Sequence, residues 1–197
     1  MHRIVLASTS PYRRALLTKL GVKFQVEKPR LDEELAKTLL EKQNSSPLQI
    51  AISLARQKAE SLKDGNSVII GGDQLVNLNG EILGKPHTEE KAVAQLLKMQ
   101  NKTHEIITAV CVVTPTQTQE FYDITKLTMK ALTQKQLQDY VERDQPLDCA
   151  GSYKIEKTGM DLFSKIVTKD FSAIEGLPLI QLRLLLQTLG YDTKEIN

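Results

Sequence analysis

The stretch Arg3-Ile4-Val5-Leu6-Ala7-Ser8-Thr9-Ser10-Pro11-Tyr12-Arg13-Arg14 decides the fold class. Arg3 to Ala7 is a short apolar run of the kind that forms a buried strand. Ser8-Thr9-Ser10 is a capping cluster. Pro11 suits a first helical position, where its fixed φ matches the helix and its missing N–H is not needed. Ala15, Leu16 and Leu20 follow at helical spacing, and Gly21 closes the segment. The unit is strand, polar turn, helix.

Outward from that unit the pattern continues. From Pro47 to Leu62, the residues Ala51, Leu54, Ala55, Ala59 and Leu62 mark one helical face. Lys58 falls on the same inward face, and a charge there needs a partner. Ser67 to Gly71 reads as a buried strand that ends in Gly71-Gly72-Asp73-Gln74. Asn79-Gly80 between two short runs signals a hairpin. With a two-residue loop, Leu78 faces Glu81, and the register runs back until Gln74 faces Lys85, beside Asp73. Leu31 to Asn44 begins as loop before a helix. Thr88–Met99 and Thr133–Arg143 read as helices, and Glu105–Thr114 and Phe121–Met129 as strands. Leu177–Leu189 is an apolar terminal helix with Gly190 beyond it. The expected fold is a mixed, twisted α/β sheet covered by helices.

Composition bounds the function. The 197 residues carry Lys+Arg 26 against Asp+Glu 24, a net charge of +2. Hydrophobic residues make up 41% and charged residues 25%, which suits a soluble globular chain of one domain, or one domain with a small lobe. The near-balance of charge argues against a partner that is a nucleic acid polymer. No apolar run approaches a membrane span, and the N-terminus does not read as a signal peptide. Cys111 and Cys149 have neither metal-ligand spacing nor a disulfide framework, and read as core residues. His2, His87 and His104 lack spaced partners. A reducing cytoplasm is the simplest home.

Three segments carry candidate chemistry. Ser8 to Arg14 puts a polar turn at a helix N-terminus and adds two arginines, an arrangement suited to phosphate. An ordinary Ser cap with solvent-facing arginines is the plainer alternative. Gly71-Gly72-Asp73-Gln74 is either a Gly-rich turn or, with Lys85 set opposite, a phosphate-and-metal site at a sheet edge. Asp32-Glu33-Glu34 is either a solvated face or the source of a second carboxylate for a divalent metal. Lys58 is either snorkelling or ligand-binding.

Taken in series, Ser8–Arg14, Asp32-Glu33, Lys58, Gly72-Asp73-Gln74, Gly84-Lys85-Pro86, Cys149-Ala150-Gly151-Ser152-Tyr153 and Gly176-Leu177-Pro178-Leu179 resemble the Maf nucleoside triphosphate pyrophosphatases. The resemblance covers nearly the whole chain. It implies a single domain over residues 1–197, two lobes around a deep nucleotide cleft of the Maf/ITPase-like kind, a divalent cation (Mg²⁺ or Mn²⁺), a cytoplasmic location and frequent homodimers. It also implies hydrolysis of a nucleoside triphosphate to the monophosphate and pyrophosphate, as house-cleaning of non-standard nucleotides. In these terms Asp73 is the proton acceptor, Glu33 and Asp73 hold the metal, and Ser8, Arg13, Arg14, Lys58 and Lys85 bind substrate.

Branch markers point to the base. Gln74 and Glu156 resemble the 7-methyl-GTP branch; the dTTP/UTP branch usually has Thr and Gln at those positions. The 7-methyl-GTP branch commonly has Trp at the position of Tyr12 and Ser at that of Gly72. Glu156 would accept from the guanine N1–H and amino group, and Tyr12 would stack on the cationic ring. Gln74 would add an amide contact near sugar or base. The rivals are a dTTP/UTP-type pyrophosphatase and a non-hydrolysing nucleotide-sensing regulator of division.

Overall fold

A computed structural model describes residues 1–194. In chain order the elements are β1 (Arg3–Ala7), α1 (Pro11–Lys19), β2 (Phe24–Glu27), α2 (Glu33–Lys42), α3 (Pro47–Glu60), β3 (Ser67–Leu78) and β4 (Glu81–Leu83). Then come α4 (Glu89–Met99), β5 (Thr103–Val113), β6 (Thr118–Met129), α5 (Gln134–Asp144), β7 (Phe163–Val167), α6 (Ser172–Glu175) and α7 (Leu179–Thr188). The strands form one seven-stranded sheet in the order β2-β1-β3-β5-β6-β7, with β4 on β3. β1 pairs parallel with β2 and β3, whereas β3–β4 and β6–β7 are antiparallel. The sheet is mixed, as expected from the sequence.

The chain divides into two compact units. The first comprises Met1–Gln74, Thr108–Asp123 and the chain from Asp170 on. Its core alternates as strands must, because successive side chains leave opposite faces of a sheet. Ile4 and Leu6 of β1, Val68 and Ile70 of β3, and Val110 and Val112 of β5 join Leu16, Leu17 and Leu20 of the α1 segment and Leu179, Leu182, Leu185 and Leu186 of α7 in one buried cluster. The terminal helix therefore covers the sheet, while its Ile180 and Leu184 face outward. Gly71 and Asp73 of β3 face α3 instead. A Cβ on Gly71 would lie 2.3 Å from the Ala55 carbonyl oxygen and 2.7 Å from the Ala59 nitrogen. Glycine at this position lets the helix seat on the strand.

The second unit holds Leu75–Ile107 and Ile124–Lys169. α4 and α5 pack together, burying Ala92, Leu96 and Met99 on one helix and Leu137, Tyr140 and Val141 on the other. Thr133 and Gln136 close a reciprocal capping box that starts α5. His104, Tyr153 and Phe163 form an aromatic cluster, with the Tyr153 and Phe163 rings edge-on at 4.9 Å.

The structure corrects the sequence reading at several points. Gly71-Gly72-Asp73-Gln74 does not end a strand, because β3 runs unbroken from Ser67 to Leu78. The hairpin register is as expected from Leu78↔Glu81 to Val76↔Leu83, but the ladder stops there. Lys85 therefore lies outside it and is not paired with Gln74. Asp32 caps α2, accepting from the Leu35 N–H at 3.0 Å, so Glu33 and Glu34 form a helical first turn rather than a loop. Ala15 is exposed and Leu17 is buried in its place. β2, β7 and α6 have no counterpart in the sequence reading. β2 and β7 are half-exposed border strands without a strong apolar run, and α6 is only four residues long. Neither cysteine is in a disulfide; Cys111 lies in the core and Cys149 is half-buried.

His104 is buried, and its Nε2 lies 2.9 Å from the Tyr153 hydroxyl, while Nδ1 has no partner. Burial pushes its pKa down to about 4. A histidine held neutral contributes stability above its unfolded pKa, and that stability is lost as pH falls through the folded value. The protein should lose on the order of 3 kcal/mol between pH 7 and pH 4 through this residue alone. Urea unfolding of wild type and His104→Gln across that range checks this. Parallel pH curves for the two proteins would sink it.

Candidate active site

The candidate site in the first unit grows from the β1–α1 turn and the middle of β3. Ser8 is buried just past β1; its N–H donates to the Leu6 and Glu27 carbonyls at 3.0 and 3.1 Å. Its Oγ accepts from the Ser10 N–H at 3.1 Å, and Ser10 Oγ in turn accepts from the Arg13 N–H at 3.4 Å as the α1 cap. The turn is therefore built as expected, yet these three N–H groups are satisfied internally rather than offered to an anion.

The parallel register Ala7↔Gly71 ends the β1–β3 ladder. Gly72, Asp73 and Gln74 thus extend beyond the carboxyl end of β1, level with the turn. Alternation then sorts them. Asp73 is on the α3 face, where Lys58 Nζ reaches its Oδ1 at 2.7 Å. The same ammonium reaches Glu33 Oε2, also at 2.7 Å. The Lys58 and Asp73 side chains are 5% and 9% exposed, whereas that of Glu33 is 51% exposed. The inward lysine thus has two carboxylate partners. Asp73 Oδ2 is buried without a hydrogen-bond partner. Burial raises the Asp73 pKa, opposed by Lys58 and Arg13.

Gly72 and Gln74 take the opposite face. A Cβ on Gly72 would lie 3.3 Å from Arg13 Nε, so the missing side chain makes room for the guanidinium. Arg13 Nε donates to the Gly176 carbonyl at 3.1 Å. Burial lowers the Arg13 pKa, while Asp73 and Glu33 oppose that shift. Gln74 Nε2 faces three acceptors: Thr108 Oγ1 at 2.9 Å, Ala173 O at 2.9 Å and Ile174 O at 3.1 Å. Two of these are carbonyls, so the amide nitrogen must take that end. Its nitrogen is tied within its own unit.

Other expected residues stand apart. Arg14 is exposed and lines a shallow hollow with Thr18, Val22, Lys23, Phe24 and Val26, away from the Lys58 cluster. Tyr12 is half-buried in the first turn of α1. In the second unit Lys85 is exposed beyond β4. Glu156 is exposed on a turn in which the Lys157 and Gly159 N–H groups donate to the Lys154 carbonyl.

The profile of the Maf-like protein family matches residues 3–189. The chain belongs to the Maf family. The 7-methyl-GTP pyrophosphatase of Bdellovibrio bacteriovorus is 48% identical over 185 residues, covering 94% of this chain and 96% of its own. Those of Xanthomonas axonopodis pv. citri and Vibrio vulnificus are 39% and 40% identical; they cover 98% and 96% of this chain, and 99% and 96% of their own. A solved nucleoside-triphosphatase / dITP/XTP pyrophosphatase from Mycobacterium abscessus overlaps 66% of this chain and 75% of its own. Its TM-score is 0.38 at 15% identity, a likeness too loose to bear on the site.

In this Maf protein the donor set suits a hard divalent cation, which takes oxygen ligands. Two carboxylates already converge on one positive charge, and one buried carboxylate oxygen is open. Among the described residues there is no cluster of three or more His, Cys, Asp or Glu, so a third such side chain does not join the two carboxylates. No helix among the described residues is long and apolar enough to cross a membrane. Thr108 escaped the sequence reading. It sits in a fully apolar-looking strand, and its only signal is a hydroxyl in the run Ile106-Ile107-Thr108-Ala109-Val110.

Removing the Lys58 charge should expose the cost of burying Asp73. Lys58→Met should destabilise the protein by about 3–5 kcal/mol at pH 8, the penalty of an uncompensated buried charge. With its folded pKa raised, Asp73 favours the folded state only below that value, so the deficit should shrink toward pH 5. Chemical denaturation at the two pH values reads this; an equal deficit at both would overturn it.

Proposed function

We propose that this Maf protein hydrolyses a nucleoside triphosphate, foremost 7-methyl-GTP, to the monophosphate and pyrophosphate in the cytoplasm. The observation that carries the reading is the buried carboxylate of Asp73. One oxygen is fixed by Lys58 and the other has no partner, and burial raises its pKa. An unpaired acceptor with that environment suits proton abstraction from water. The family membership and the activity of the similar 7-methyl-GTP pyrophosphatases support the substrate class.

In the proposed reaction a water loses a proton to Asp73 as its oxygen bonds to the α-phosphorus. The bond from that phosphorus to the α–β bridging oxygen breaks, and pyrophosphate leaves with the electron pair. Arg13, Lys58 and Lys85 neutralise the phosphates, and the Ser8 hydroxyl donates a hydrogen bond to them. Arg14 has a peripheral share in this, given its exposure. Glu33 and Asp73 would hold Mg²⁺ or Mn²⁺, which when bound supplies charge neutralisation of the phosphate oxygens. Glu156 and Tyr12 read the base, through a charge-assisted hydrogen bond and a stacking face respectively. Gln74, with its nitrogen engaged, serves as an acceptor.

Pyrophosphate release over a panel of 7-methyl-GTP, GTP, dTTP and UTP, with Mg²⁺ and with Mn²⁺, tests the reading. Asp73→Asn should slow single-turnover release by about 10²–10⁴-fold while nucleotide still binds. Glu156→Gln should lower kcat/KM for 7-methyl-GTP far more than for UTP. Binding without any release would favour a nucleotide sensor, and a wild-type preference for dTTP or UTP would favour the pyrimidine branch. Either result replaces this proposal.

A further inference from the structure

Lys85 and Glu156 have exposed side chains in the second unit, so the backbone that carries them must set their direction. The β4 ladder ends at Leu83, which leaves the Gly84 carbonyl beyond strand pairing. That carbonyl accepts from Gln95 Nε2 at 3.0 Å. The other end of the same amide, Oε1, accepts from Ser152 Oγ at 2.6 Å. The amide orientation is unambiguous, since a carbonyl only accepts and the hydroxyl can donate.

Both anchors are well founded. Gln95 lies in α4 next to buried Leu96, and Ser152 is fully buried with φ 63°. A left-handed backbone at a serine is costly and persists only where its surroundings fix it. A second tie runs from the His87 N–H to the Leu147 carbonyl at 3.1 Å, with His87 itself at φ 63°. The Gly84–His87 segment is thus fastened at both ends to the chain between Leu147 and Ser152. That chain leads directly into the Glu156 turn.

The geometry points to Gln95 as a positioning residue that locks the Lys85 segment to the Ser152 segment, so that phosphate neutralisation and base reading are set together. This rests on the nucleotide reading above. Gln95 touches no substrate; it acts through Gly84 and Ser152.

Amide hydrogen exchange of the nucleotide-free protein, combined with steady-state kinetics, tests it. In Gln95→Leu, exchange across Gly84–His87 should quicken roughly tenfold, the equivalent of one ordinary hydrogen bond. KM for 7-methyl-GTP should rise roughly tenfold with kcat nearly unchanged, as expected for lost uniform binding. The preference for 7-methyl-GTP over UTP should fall in the same variant. Ser152→Ala should give a milder form of these changes and add little in the Gln95→Leu background. Unchanged exchange and KM, or fully additive effects, would overturn the proposal. A kcat loss at constant KM would do the same. If wild type releases no pyrophosphate at all, the nucleotide reading fails, and the exchange arm still decides whether Gln95 ties the two segments.

Discussion

The buried ammonium of Lys58 is the contact on which the placement of the Asp73 carboxylate depends. Taking a lysine and an aspartate out of water costs several kcal/mol each, and only close, well-directed pairing offsets it. That pairing requires α3 to approach β3 closely, which is possible because Gly71 has no side chain to meet Ala55 and Ala59. It also requires Glu33 at the start of a helix, where Asp32 supplies the cap. The ion pair, the glycine and the cap are parts of one device. It holds a carboxylate ready in a place where carboxylates are otherwise unstable.

Strand alternation divides the labour around that carboxylate. Asp73 faces the lysine, while its neighbours Gly72 and Gln74 face Arg13 and the Ala173–Ile174 carbonyls. A single run of three residues thus serves two layers. The missing side chain at Gly72 makes room for the Arg13 guanidinium. The Gln74 nitrogen is anchored to Thr108 and the α6 segment.

The elements that set this arrangement were legible in the sequence to different degrees. The strand–turn–helix of Arg3–Lys19, the inward lysine and the first three pairs of the Asn79-Gly80 hairpin follow from local rules and match the structure, whereas the pairing of Gln74 with Lys85 does not form. The continuity of β3 through Gly71-Gly72 was not legible, because a glycine pair signals a turn unless a helix presses on it. Nothing local says that Arg13 turns inward while Arg14 stays in solvent; the distinction depends on the Gly176 carbonyl, far along the chain. Gln95 was hidden for a similar reason. A glutamine in an amphipathic helix looks like surface, and its two partners lie in separate loops.

The two arms of the Lys58 bridge differ in one more respect. Glu33 is half in solvent, whereas Asp73 is almost sealed. Dissolved ions screen exposed charges far more than buried ones. Rising ionic strength therefore weakens the outer arm first and leaves the inner arm nearly intact. The bridge is graded, with a permanent bond inside and a salt-sensitive one outside.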